Sequence, residues 1–302
     1  MNGRGADDKG MSGESAIQEI MDKAGVLDDL ALKMWKEPEV AYQEIRASKW
    51  TAELLLGEGF EVQTEFAGLK TALRASFGSG RPVIGFLGEY DALPGMSQQL
   101  KAEKDPVVEG APGQACGHNL LGVGHVGAML GLKKEMQQRN LPGTIVFYGC
   151  PAEEVLTGKP FMARGGAFKE LDCCIAWHPG VLNEVNLGTN TALNAVKFHF
   201  RGRTAHAGGD PHNGRSALDA AELMNVGANF LREHVTSDVR IHYVITQGGT
   251  APNIVPDRAT NWYYVRALTR HAVEDAYRRL VLVAQGAAMM TLTLFFTALY
   301  SA

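Results

Sequence analysis

The residues best equipped for chemistry fall in four short segments. Glu89, Tyr90 and Asp91 follow the apolar run Pro82–Gly88, and Glu153 and Glu154 follow Thr144–Cys150. His178 ends the run Asp172–His178, and Cys116 and His118 flank a single glycine in Cys-Gly-His-Asn. A thiolate, imidazoles and a carboxylate together suit zinc or a similar first-row divalent ion. Gly117 leaves the Cys116 and His118 side chains free to turn towards one point. The adjacent carboxylates Glu153 and Glu154 allow a division of labour, one holding metal and its neighbour taking a proton from water. Each signal alone has a plainer reading. An adjacent Glu pair is usually a solvated surface pair, a lone Cys is usually core, and Trp-His-Pro is often a packed strand end. Only the convergence of all four segments reverses that order.

Convergence requires elements that deliver these residues to one edge. Pro82–Gly88, Thr144–Cys150 and Asp172–His178 read as buried strands, and the Gly- and Ala-rich stretch His118–Gln138 between the first two reads as a helix. Further helices are expected over Ser15–Lys36, stopped by Pro38, over Glu44–Glu58, and over Lys159–Phe168. Strands alternating with helices predict an α/β fold, a mostly parallel sheet with helices on both faces. In such sheets ligands bind beyond the carboxyl ends of the strands, where these chemical residues lie. Near Leu187–Thr191 the pattern changes to a strand at AVKFHFRG, a helix over Arg215–His234, strands at Val239–Thr246 and Thr260–Ala267, and a helix from His271. That order describes a small α+β unit.

Composition bounds the class. The chain has 302 residues, 45% of them hydrophobic, enough for a large core and more than one folding unit. A net charge of -4 without clustered Lys and Arg argues against nucleic acid. The four cysteines are too sparse for a disulfide scaffold, and adjacent Cys173 and Cys174 suit reduced thiols in a buried strand. The polar first residues hold no apolar leader, so a cytoplasmic protein is expected. Leu280–Ala302 carries no charge and is long enough for a membrane span, but Gln285, Gly286 and several Ala and Thr dilute it, so no membrane insertion is expected.

At this point the sequence resembles the aminoacylase/carboxypeptidase superfamily of two-metal hydrolases. The likeness rests on PEVAYQE (Pro38–Glu44), LGEYDALPGMSQQ (Leu87–Gln99), CGHNLLG (Cys116–Gly122), FYGCPAEE (Phe147–Glu154) and Trp177–Pro179. In the second unit it rests on Gly202–Ala220, Ala251–Ala259 and Arg266. The resemblance implies an amidohydrolase with two divalent ions, zinc or manganese with cobalt as a further option. Its substrate would join an acyl or aromatic acyl group to an amino acid, as in aminobenzoyl-glutamate. Cys116, His118, Glu154 and His178 fall on metal-ligand positions, Glu153 on the general base, and Asp91 on the residue that orients the metal site. His206 matches a lid histidine that reaches a neighbouring subunit's site to stabilise the oxyanion. Asn253 and Arg266 match residues holding the substrate's carbonyl oxygen and carboxylate. The implied domains are a catalytic domain over 1–189 and an inserted lid and dimerisation domain over 190–292. The implied assembly is a homodimer or a heterodimer with a homologous chain.

Two departures accompany the likeness. Asn119 stands where many relatives have Asp. After the lid, relatives resume the catalytic domain and supply a fifth ligand, a histidine, whereas this sequence reads LTLFFTALYSA, so 293–302 is expected to be an aberrant or truncated tail. The metal set is then expected to be incomplete and catalysis weak. This leaves two further readings, a non-catalytic dimerisation partner or inactive remnant, and a dipeptidase with the same chemistry. His125, His199, His212, His234, His242 and His271 read as packing or surface residues.

Overall fold

The computed structural model describes residues 13–185 and 188–299. The polar N-terminal run and the end of the tail lie outside them. The chain divides into two compact units, one up to Asn183 and one from Glu184.

In the first unit the helices are α1 (Glu14–Asp22), α2 (Ala24–Lys36), α3 (Ile45–Gly57), α4 (His118–Arg139) and α5 (Gly158–Arg164). The single helix expected over Ser15–Lys36 is therefore two, broken at Lys23. The strands are β1 (Glu61–Thr64), β2 (Leu73–Ser79), β3 (Val83–Glu89), β4 (Gly143–Cys150) and β5 (Cys173–Ile175), in the order β1-β2-β4-β3-β5. The three strands expected from sequence are the parallel neighbours β4, β3 and β5. β1 and β2 run antiparallel to their neighbours, so the sheet is mixed where a mostly parallel one was expected. The reason is connectivity, because β2 turns straight into β3 and the two flank β4 from opposite sides.

Alternation along β4 sends Ile145 and Phe147 into a core shared with α2, α3 and α4, and Val146 and Tyr148 into one shared with Met162 of α5. Both faces of the sheet are thus covered. Cys173, Cys174 and Ile175 are exposed, which corrects the expectation of a buried strand. Among the described residues β5 pairs with β3 alone and forms the sheet's edge. All four cysteines are free.

In the second unit β6 (Ala192–Arg201), α6 (Ala217–Leu231), β7 (Arg240–Gln247), β8 (Arg258–Ala267) and α7 (Arg270–Thr291) follow the expected order. Val196, Phe198 and Phe200 of β6 and Tyr263 and Val265 of β8 meet Met224, Leu280 and Ala284 of the helices in one core. A strand not anticipated from sequence, β9 (Leu294–Leu299), pairs antiparallel with β6 and completes the order β7-β8-β6-β9. Among the described residues no helix is long and apolar enough to cross a membrane, since α7 ends at Thr291 and the chain continues as β9.

Candidate metal centre

The site lies in the first unit, where β3, β4, β5 and the start of α4 end. β3 delivers Glu89 and Asp91, two residues apart and so on one side of the extended chain. Tyr90 points the other way, fully buried, and donates its hydroxyl to the Thr71 carbonyl. Gly117 adopts φ +80 at the start of α4, and a Cβ there would approach Pro179 Cγ at 3.0 Å. That left-handed turn, cheap only for glycine, aims Cys116 and His118 at the same place. Gly122 lets α4 lie against the end of β3, since a Cβ would meet the Glu89 carbonyl oxygen at 2.4 Å.

Asp91 organises the centre. Its Oδ1 lies 3.1 Å from His118 Nδ1, and its Oδ2 accepts the backbone N–H of Glu154 at 2.9 Å. One buried carboxylate therefore fixes both the imidazole and the Glu153–Glu154 loop. The Nδ1 contact leaves His118 Nε2 facing inward. Burial opposes protonation of His118, but the Asp91 carboxylate, with the charges of Glu89 and Glu154, outweighs it and raises the imidazole's pKa. Cys116 Sγ lies 3.2 Å from His178 Nε2, and His178 Nδ1 lies 2.9 Å from the Pro179 carbonyl oxygen. The Nδ1–H donates to that carbonyl, which leaves Nε2 to face the sulfur.

Glu153 Oε2 and Glu154 Oε1 lie 3.8 and 4.0 Å from His118 Nε2, so distance alone does not separate their roles. Their exposure differs, with the Glu154 side chain 15% exposed and the Glu153 side chain 30%. Burial and the neighbouring Glu154 charge push the Cys116 thiol up to about 12, and burial followed by the Glu89 charge raises Glu153. Such a thiol loses its proton at neutral pH only to a strong cation.

A metal fits this donor set. His118 Nε2 and Glu154 Oε1 are buried with no hydrogen-bond partner, a costly arrangement unless a ligand satisfies them. Ligating atoms of Cys116, His118 and His178, and of Glu89, His118 and Glu153, lie within 4.8 Å of one another in two overlapping groups. Cys116, His118, Glu154 and His178, together with Glu153 and Asp91, are thus brought to one place.

Three further residues contribute. In sequence Glu89 is a strand-end carboxylate without an assigned role. Lys159 of α5, whose Nζ meets Glu89 Oε1, carried no sequence signal. Glu44 is fully buried, and its Oε1 and Oε2 accept the Ala152 N–H and the Thr71 hydroxyl at 2.8 and 2.9 Å. Ala152 holds φ +56 immediately before Glu153, a left-handed conformation that Glu44 helps fix. Glu44→Ala is expected to cost about 1–3 kcal/mol by leaving these donors unsatisfied, with Glu44→Gln milder. Urea unfolding followed by tryptophan fluorescence measures both.

The three remaining residues lie in the second unit. His206 pairs with Ile254 in a short antiparallel bridge beside Asn253, with the Ala207 N–H donating to the Asn253 carbonyl at 3.0 Å, and His206 and Asn253 are both exposed. His206 Nδ1 accepts the N–H groups of Gly208 and Gly209 at 3.2 and 2.8 Å. A neutral imidazole so held carries its proton on Nε2. Arg266 is not brought to this pair. It lies at the far end of β8, roughly 25 Å along the strand from Arg258, with its guanidinium 5.5 Å from the Tyr264 ring centre.

Residues 190–288 match the peptidase dimerisation domain of the M20 family. The chain is 43% identical over 268 residues to one of the subunits of p-aminobenzoyl-glutamate hydrolase from Escherichia coli (strain K12), covering 88% of this chain and 56% of that protein. It spans 56%, 62% and 61% of three curated relatives, and so a little over half of their length. In structure it is similar to an aminobenzoyl-glutamate utilization protein from Klebsiella pneumoniae, with TM-score 0.73, 23% identity, and 95% of this chain and 78% of that one covered. It is also similar to a dinuclear metal-binding peptidase of the M20 family from Bacillus subtilis, with TM-score 0.60, 22% identity, and 92% and 73% covered. Residues 190–288 thus match the M20 dimerisation domain, and the chain as a whole is similar in sequence and in fold to proteins of that kind, in line with the aminoacylase/carboxypeptidase group that its motifs resemble.

Proposed function

We propose that the protein hydrolyses the amide bond between an acyl or aromatic acyl group and an amino acid, with aminobenzoyl-glutamate as the first substrate to test. The observation that carries this reading is the pair of buried, unpartnered atoms His118 Nε2 and Glu154 Oε1, set beside Cys116, His178 and a second glutamate. The name of the 43% identical relative supports the substrate class. Cys116, His118, Glu154 and His178 would hold two divalent ions, zinc, manganese or cobalt, and Asp91 would orient His118 and the Glu154 backbone. When bound, such ions supply Lewis acidity to the carbonyl and acidify water.

The remaining work falls to protein groups. Glu153 accepts a proton from the attacking water and passes it to the amide nitrogen, which leaves as an amine when the C–N bond breaks. His206 donates its Nε2–H to the carbonyl oxygen as negative charge develops there. Asn253 holds the same oxygen, and the Arg266 guanidinium pairs with the terminal carboxylate. The catalytic domain covers 1–189 and the lid and dimerisation domain 190–292. Because His206 and Asn253 lie at the opposite end of β8 from Arg266, the arrangement favours a homodimer or a heterodimer with a homologous chain, in which the two ends of one lid serve different active sites. Free cysteines throughout favour the reducing cytoplasm.

The test uses the protein freed of metal and reloaded with zinc, manganese or cobalt. Release of aminobenzoate from aminobenzoyl-glutamate that depends on metal supports the reading. A loaded protein that leaves this substrate and simple acyl amino acids intact overturns it.

A further inference from the structure

We infer that Glu89 is itself a metal ligand, bound through Oε2 alone because Lys159 occupies Oε1. The inference rests on the metal-centre reading above and deepens it. Glu89 Oε2 lies 3.1 Å from His118 Nε2, yet that nitrogen has no hydrogen-bond partner, so the two atoms are close without being aligned to bond to each other. Ligand atoms on one ion with bonds of about 2.0–2.2 Å stand roughly 3.0–3.5 Å apart, which matches this pair.

The other carboxylate oxygen of Glu89 is taken. Lys159 Nζ meets Oε1, and the Glu89 side chain is only 10% exposed, so the carboxylate has little freedom to turn. Charge explains why a lysine stands in a site built for cations. Glu89, Asp91, Glu153 and Glu154 gather four carboxylates around one imidazole. The ammonium neutralises part of that charge from behind and leaves Oε2 facing the ion. Lys159 is thus a positioning residue that enforces single-oxygen binding.

The test is calorimetric and spectroscopic titration of metal-free protein with cobalt(II), in the wild type and in Glu89→Gln, Glu89→Asp and Lys159→Met. Circular dichroism confirms that each variant is folded, and a variant that is not is replaced in the comparison by Glu89→Asp. Glu89→Gln is expected to weaken cobalt binding at least tenfold and to change the visible d–d bands. Lys159→Met is expected to keep the ion but shift those bands, as the freed Oε1 joins the coordination. Weaker binding in Glu89→Gln with bands identical to wild type would reduce Glu89 to a distant charge and overturn the inference. Unchanged affinity and bands would do the same. Wild-type protein that binds no cobalt would overturn the metal-centre reading as well, so the two failures are distinguishable.

Discussion

Replacing Glu153 with Gln is expected to lower amide hydrolysis by about two to four orders of magnitude while metal content stays at the wild-type level. Glu153 is the more exposed of the adjacent pair, and burial beside Glu89 raises its pKa. A carboxylate so placed is a better proton acceptor than a free one. Glutamine keeps the shape and removes the ability to take a proton, whereas Glu154, with its buried and unpartnered Oε1, is left to hold metal. Steady-state turnover and metal analysis on the same preparation decide the matter. Metal loss in Glu153→Gln would mean that the roles of Glu153 and Glu154 are exchanged.

Asp91→Ala is expected to weaken metal binding by about ten- to a hundredfold without removing any ligand. The Asp91 carboxylate is completely buried and touches two parts of the centre, His118 Nδ1 and the Glu154 N–H. Without it the imidazole loses its fixed orientation and the loop loses its anchor to β3. Asp91→Asn should fall between, since one amide oxygen can still accept one of the two bonds. Competition with a chromogenic chelator measures the affinity of each. Wild-type affinity in Asp91→Ala would show that His118 and the loop are held by packing alone.

Much of this centre is legible in the sequence. Apolar runs that end in Glu, His or paired Glu imply strands feeding one edge, and β3, β4 and β5 do run parallel there. The hidden parts are those without local periodicity. β1 and β2 are short or turn directly into the next element, so their antiparallel pairing depends on which side of β4 the chain reaches. β9 falls in the stretch expected to be an aberrant or truncated tail, because a short run of Leu, Phe, Thr and Ala carries no period that marks it as a strand. Cys173 and Cys174 looked buried because their run is apolar, but an edge position decides exposure and is a property of the sheet. Lys159 and Glu44 reach the site through tertiary contacts across 70 and 108 positions, which no motif spacing records.

The central claim is that Cys116, His118, Glu154 and His178 hold metal together. An anomalous difference map from crystals of the zinc-loaded protein tests it most directly. The account predicts strong peaks within bonding distance of Cys116 Sγ, His118 Nε2, Glu154 and His178 Nε2, with the zinc–sulfur bond at about 2.3 Å. Peaks that avoid His118 and Glu154, or zinc held instead by the exposed Cys173 and Cys174, would contradict it.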